Sequence, residues 1–435
     1  MQEKIFSKAF CDKYRIRKED FTRNRVFSFG RLVIFQINIA TKSLSVELTR
    51  FFHRIENNAE VRSFSKQSYS EARMKMKHGA YIELNDDLVR AYYAEGNELR
   101  YKGYRLVAID GSRIQLPNTK EVIAEFGIAE NKGKSVPMAM TSTAYDVLNH
   151  IAVNTYLDRY ETSERTLAEY HLEKMQTLRA NSKDILLMDR GYPSVALCAK
   201  TLVNSYDFVV RCDADHYLNE VEAFSQSTAI DDIIELDLCA GSRKYNKALQ
   251  ELVQKHSLTT IRLRIVKILL EGGITEYLLT SLLDQETFSV NDLKEIYHLR
   301  WNEETYFNFQ KNVIEIENFS GKTPETIRQD YFARVLSGNL SSLLIEEAQE
   351  EVEAETAKND DRRYQRYNIN RTVATGILKD EVIEMLFAPK ELLREKHSML
   401  LAKIKKHIIP EIPGRAFVRK ERIQNKAFLK RRKAL

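Results

Sequence analysis

Through the first hundred residues, apolar positions recur at three- and four-residue steps. FGRLVIFQINIA, SLSVELTRFFHRI and SKQSYSEARMKM all carry this spacing, separated by polar clusters and free of proline, which predicts helices. From Tyr104 the period changes. YRLVAID is a short apolar run ending at Asp110, and PMAMTSTAYDVLNHIAVNTYLD reads as two strands that turn near Leu148 to His150. Ser163 then caps a helix over ERTLAEYHLEKMQTLRA, with a glutamate in its first turn. DILLMD (184–189) is a buried-type strand, PSVALCAKTLV a short helix and YDFVVR (206–211) another strand. Three meandering strands followed by helix–strand alternation predict a mixed α/β sheet with helices on its faces.

About 75 residues then intervene before the next helix start, far more than an ordinary connection. TIRLRI alternates apolar and polar residues, Gly272 and Gly273 supply a turn, and LLTSLL resumes, so the insertion holds a β-hairpin. In FSVND, Ser289 is a candidate N-cap with Asp292 three residues on, and Phe288 and Leu293 can form a hydrophobic staple. A helix can run from there past Lys311. Another begins at Thr323-Pro324, with Ile327, Tyr331, Val335 and Leu340 as its apolar stripe.

The first of these helices carries YHLRWNEETYFNFQKN (297–312). At about 100° per residue, Tyr297, Arg300, Glu304 and Lys311 would fall within an arc of roughly 60°. A solvated helix face can do this by accident, and Arg300 with Glu304 is an ordinary i,i+4 ion pair worth about 0.5 kcal/mol. A site that grips a metal and a phosphate would require it.

Composition narrows the class. No run approaches the ~20 apolar residues of a membrane span, and QEKIFSKAF after Met1 is not a signal peptide, so a cytoplasmic protein is expected. Cys11, Cys198, Cys212 and Cys239 form no CxxC pair, which argues for reduced thiols and against a zinc site. Net charge is only +5, but it is uneven: residues 414–435 carry nine Lys or Arg against one Glu, while residues 345–361 hold eight acids. Basic ends on a balanced chain suit a polyanion partner. Lys66, Arg73, Lys75 and Lys77 could face DNA or form a plain solvated surface.

Two carboxylates end apolar strand runs, Asp110 in VAIDGSR and Asp189 in LLMDRGYPS. Such positions are where α/β sheets place ligands, although strand-end aspartates also make ordinary caps and turns. Combined with Glu304 on a helix, they could hold two Mg²⁺ ions for phosphodiester chemistry.

The order VAID, MDRGY and Tyr-x2-Arg-x3-Glu-x6-Lys (297–311) resembles the DDE transposases of bacterial insertion sequences, in the insertion-sequence-4 group that cuts and pastes through a DNA hairpin. KSLSVELTRFF, SKQSYSEARMKM, TAYDVLNHI, ERTLAEYHL, LLTSLL and GRAFVRK extend the likeness over most of the chain. The resemblance implies an α/β fold: an RNase H-like mixed sheet with flanking helices, interrupted by a β-rich insertion, with a helical N-terminal domain and a mainly helical basic C-terminal tail. The implied division is 1–100 (DNA-binding), 101–211 and 285–345 (catalytic), 212–284 (insertion) and 346–435 (dimerisation or DNA binding). It implies Asp110, Asp189 and Glu304 as catalytic metal ligands for two Mg²⁺, with Mn²⁺ able to substitute. Tyr297, Arg300 and Lys311 are the implied DNA-phosphate contacts, and Arg190 either reaches DNA or makes a structural ion pair.

The implied partners are double-stranded DNA, as transposon ends and target, and a second copy in a synaptic homodimer, in a bacterial, nucleoid-associated setting without a membrane. Some relatives wedge a flipped base with an insertion-domain tryptophan. The only tryptophan here is Trp301, on the signature helix, so either another aromatic such as Tyr277 serves as the wedge or the hairpin step differs. Two other readings use the same residues or surfaces: an RNase H-like nuclease without strand transfer, and a non-catalytic, domesticated DNA-binding protein.

Overall fold

The computed structural model describes residues 1–412 apart from residues 24, 39–42, 57–64, 132–133, 179–181, 214–217, 271–272, 358–363 and 365. The basic stretch 414–435 and Gly272 of the predicted turn lie outside the described residues. Six helices come first: α1 (Gln2–Ile5), α2 (Lys8–Tyr14), α3 (Phe29–Ile37), α4 (Leu44–Glu56), α5 (Lys66–Arg73) and α6 (Gly79–Glu95). Then follow β1 (Tyr104–Gln115), α7 (Lys120–Phe126), β2 (Ile128–Asn131), β3 (Lys134–Asp146), β4 (Ile151–Arg159), α8 (Glu164–Leu178), β5 (Lys183–Met188), α9 (Val195–Val203) and β6 (Asp207–Cys212). Next come α10 (Asn219–Gln226), β7 (Asp231–Asp237), α11 (Lys247–His256), β8 (Thr260–Leu269), β9 (Thr275–Thr280), α12 (Val290–Leu299) and α13 (Trp301–Asn312). The chain closes with α14 (Pro324–Thr356), β10 (Tyr367–Ile369), α15 (Arg371–Phe387), α16 (Lys390–Ile404) and β11 (Ile408–Pro410). The fold is mixed α/β, with one large mixed sheet and many helices.

Two compact units divide the chain: Asp86–Gln115 with Ile123–Asn308, and Met1–Asn85 with Leu116–Val122 and everything from Phe309 onward.

The first unit is built on a nine-stranded sheet of order β2-β3-β1-β5-β6-β9-β8-β7, with β4 on β3. β1 pairs antiparallel with β3 and parallel with β5, and β5 is parallel to β6. Residues 105–109 and 184–188 are buried throughout, which is why both read as unbroken apolar runs rather than as alternation. Within those runs Arg105 and Asp184 are a registered cross-strand pair, bonded at 2.9 and 2.8 Å, with the guanidinium 4.4 Å from the Tyr93 ring centre. Helix α8 packs on this sheet through Leu167, Ala168, His171, Leu172, Met175 and Leu178.

Strands β7–β9 extend the same sheet, β9 pairing with β6. Buried Arg264 on β8 binds Asp231 at 2.8 and 2.6 Å and donates to the Phe288 carbonyl at 2.6 Å, which anchors β7 and the entry to α12. That entry follows the sequence: Ser289 and Asp292 form a capping box, and Phe288 is buried. Lys102 and Tyr101 also bind Asp292 and, with Ser289, hold its carboxyl well below the ordinary range.

The predicted single helix through 297–312 is in fact two, joined at Arg300. Arg300 N–H bonds the Tyr297 carbonyl at 3.1 Å and Glu303 N–H the Arg300 carbonyl at 3.0 Å, the i,i+3 pattern of a tightened turn. That turn separates Tyr297 on α12 from Glu304 on α13, with Arg300 between them.

In the second unit α3 is almost wholly buried. Arg73 is not a DNA-facing cation: it is buried, bonding Asp330 at 2.9 Å, Gln329 at 3.1 Å, Ser320 at 2.6 Å and the Thr326 carbonyl at 2.7 Å. Tyr69, Ala72 and Arg73 form the inward face of α5, and these acceptors offset the cost of burying its charge. Lys66 and Lys77 are exposed.

Helix α14 starts at Pro324 behind an N-cap Thr323, as the sequence predicts. The acidic stretch after 345 continues it. Ile345, Ala348 and Val352 enter a core with Ile369, Leu378, Leu400 and Ile404. Outward acids pair with cations that follow: Glu346 with Arg371, Glu353 with Arg366, and Glu351 and Glu355 with Lys405. No helix of the described residues is long and apolar enough to cross a membrane.

Candidate active site

The parallel pairing of β1 with β5 ends at Ile109 opposite Met188, so Asp110 and Asp189 are the next residues on two adjacent strands. Each carboxylate accepts from the next residue's backbone: Gly111 N–H bonds Asp110 Oδ1 at 2.8 Å, within β1, and Arg190 N–H bonds Asp189 Oδ1 at 2.7 Å, just past β5. Ser142 on β3 donates to the Asp110 carbonyl at 3.1 Å, while buried His171 bridges Ser142 at 3.0 Å and Asn154 at 2.9 Å.

The 300 turn faces these strand ends. Arg300 places one nitrogen 3.8 Å from Asp110 Oδ2 and another 3.6 Å from Glu304 Oε1, so it stands between the two carboxylates. Tyr297 O–H donates to Asp189 Oδ1 at 3.4 Å. Lys311 lies seven residues beyond Glu304 on α13 and falls in the other unit. Exposed Arg190 stands 3.9 Å from Asp213. The Tyr277 ring packs edge-on against Phe224, and Trp301 is 44% exposed at the start of α13.

Three residues of the site escape sequence reasoning. Glu303, rather than its neighbour, is fully buried; its Oε1 accepts from Asp110 N–H at 3.1 Å, and its Oε2 has no hydrogen-bond partner among the described residues. Tyr192 is buried with its hydroxyl also unpartnered among the described residues. Glu164 leans over Gly111 and Gly191. The signal for Glu164 was slight, an acid in a helix first turn, and nothing in the spacing marked Glu303 over Glu304.

Charge accumulates here. Burial, and then the neighbouring Glu164 and Asp189, push the Asp110 carboxyl up to about 6 against the pull of Gly111 N–H and Arg300. Burial and Asp110 push Glu303 far above the ordinary range. Among the described residues no three His, Cys, Asp or Glu side chains converge closely enough to hold a metal ion as they stand. The donor chemistry nonetheless suits one. Every nearby ligand atom is oxygen, carboxylates exceed cations, and two buried oxygens lack partners, as a hard divalent ion would require.

Residues 101–340 match the family described as "Transposase DDE domain". This span is more than half of the chain, and the chain belongs to that family. It is therefore a DDE transposase, of a family that generally uses divalent metal ions in polynucleotidyl transfer. No curated protein matches the chain. Among solved structures, it is similar to one titled "Cryo-EM structure of piggyBac transposase synaptic complex with hairpin DNA", at 13% identity and a TM-score of 0.47 over 95% of this chain and 86% of that one.

Proposed function

We propose that the protein is a cut-and-paste transposase of the insertion-sequence-4 group, acting on the inverted-repeat ends of its own element in a bacterial cytoplasm. The observation that carries this reading is the β1–β5 register, which sets Asp110 beside Asp189, with Arg300 linking Asp110 to Glu304. The strand order β4-β3-β1-β5-β6, three antiparallel strands and then two parallel, supports an RNase H-like sheet.

In this reading Asp110, Asp189 and Glu304 hold two Mg²⁺ ions, with Mn²⁺ able to substitute. Bound there, the ions supply Lewis acidity that activates a hydroxyl nucleophile and stabilises the leaving oxygen. Arg300 and Tyr297 orient the carboxylates and, with Lys311 and Arg190, meet DNA phosphates; arginine suits a forked contact and lysine a point charge. Water attacks the phosphodiester at each end, and the 3′ oxygen leaves as a hydroxyl. That hydroxyl attacks the opposite strand, which closes a hairpin and expels the flanking 3′ oxygen. A second water opens the hairpin, and the 3′-ends join target DNA. Residues 1–100 bind the ends, the insertion 212–284 flanks the cleavage site, and residues 346–435 contribute dimerisation or DNA contacts in a homodimeric synapse.

Incubation of the protein and Mg²⁺ with DNA bearing the sequences that flank its gene tests this. Hairpin-ended fragments and strand-joined products on denaturing gels are expected. Nicks alone would replace the reading with a nuclease, and binding without any cleavage would replace it with a non-catalytic DNA-binding protein.

A further inference from the structure

Glu164 opens α8, where an acid is ordinarily explained by the helix dipole. Its side chain does something else. Ser163 already caps the helix, its Oγ accepting from Thr166 N–H at 3.1 Å. Glu164 itself extends over the two strand ends: a Cβ added at Gly111 would lie 2.8 Å from both its Cγ and its Oε1, and one at Gly191 would lie 3.5 Å from Oε2. Gly111 has no left-handed backbone to explain its lack of a side chain, so the space is given to Glu164. Arg165 fixes the same turn by donating to the Gly191 carbonyl at 2.9 Å.

A carboxylate brought against Asp110 and Asp189 without a cation of its own costs electrostatic energy unless something compensates it. No hydrogen bond or ion pair to Glu164 is made by the described residues. Two buried, unpartnered oxygens point to the missing compensation, Glu303 Oε2 and the hydroxyl of Tyr192, which is 1% exposed. Both residues are tied to the aspartate pair: Glu303 Oε1 accepts from Asp110 N–H at 3.1 Å, and Tyr192 N–H donates to the Asp189 carbonyl at 3.0 Å. We propose that Glu164 is a fourth carboxylate ligand of the site and shares a divalent cation with Asp110. This rests on the metal-dependent reading of Asp110 and Asp189 and adds a ligand to it.

The test is calorimetric titration of Mn²⁺ into the full-length protein without DNA, alongside thermal melts with and without Mn²⁺. Wild type, Glu164→Gln, Asp110→Asn and Glu169→Gln are compared; Glu169 lies on the same helix and pairs with Lys200. Glu164→Gln should weaken Mn²⁺ binding by about tenfold or more, raise the metal-free melting temperature by removing an uncompensated charge, and shrink the Mn²⁺-induced rise. Glu169→Gln should bind Mn²⁺ as wild type does. Should Glu164→Gln fail to fold, Glu164→Ala carries the same expectation. Wild-type affinity in the Glu164 variants with lost binding in Asp110→Asn overturns the proposal and leaves the transposase reading standing. Wild-type affinity in Asp110→Asn as well overturns the metal assignment of the site itself, and this proposal with it.

Discussion

Asp110 is held from three sides, and each hold has a different origin in the sequence. Gly111 N–H binds its carboxylate, Glu303 accepts from its N–H, and Ser142 donates to its carbonyl with His171 behind it. Asp110 and Asp189 were legible because a carboxylate at the end of a buried run is an anomaly visible in one dimension. Glu303 was not, because its bond to Asp110 N–H joins segments almost two hundred residues apart, which spacing along one helix does not reveal. His171 hid among the apolar positions of α8.

His171 gives a prediction at this scale. Burial lowers its pKa from 6.5 to about 3, so folding keeps the ring neutral. Its contribution is complete above pH 6.5, and between there and pH 3 the unfolded chain binds a proton that the fold refuses. Stability should therefore fall on acidification by up to about 1.4 kcal/mol per pH unit from this residue. Urea unfolding at pH 7 and pH 5 should show a smaller decrease in His171→Gln than in wild type; equal decreases would remove the histidine from the account.

Among the elements, the strand meander, the helix–strand alternation and the starts of α12 and α14 were readable because period and capping are local properties. What joins elements was not. The cross-strand Arg105–Asp184 pair lies inside two apolar runs and depends on a register that no single strand specifies. Breaking it leaves a buried charge alone, so Arg105→Ala should destabilise the protein by about 3–5 kcal/mol. A chemical-denaturation midpoint close to wild type would contradict that. The acidic run after residue 345 showed in the sequence only as a block of like charge; its glutamates on α14 pair with cations 13–50 residues further along the chain.

For the whole molecule, charge distribution suggested a polyanion partner but misassigned Arg73, whose acceptors arrive from about 250 residues away. The candidate site is assembled from β1, β5 and the α12–α13 turn, three segments distant in sequence and brought together by sheet order. In the proposed mechanism those segments form one metal-dependent centre, in which Glu304 joins Asp110 and Asp189. The most direct test compares wild type with Glu304→Gln in Mg²⁺, measuring binding to the flanking DNA ends and cleavage at those ends in the same reactions. Equal binding is predicted, with cleavage lost by about 10³-fold or more for removal of an essential metal ligand. Cleavage by Glu304→Gln within about tenfold of wild type would contradict the account.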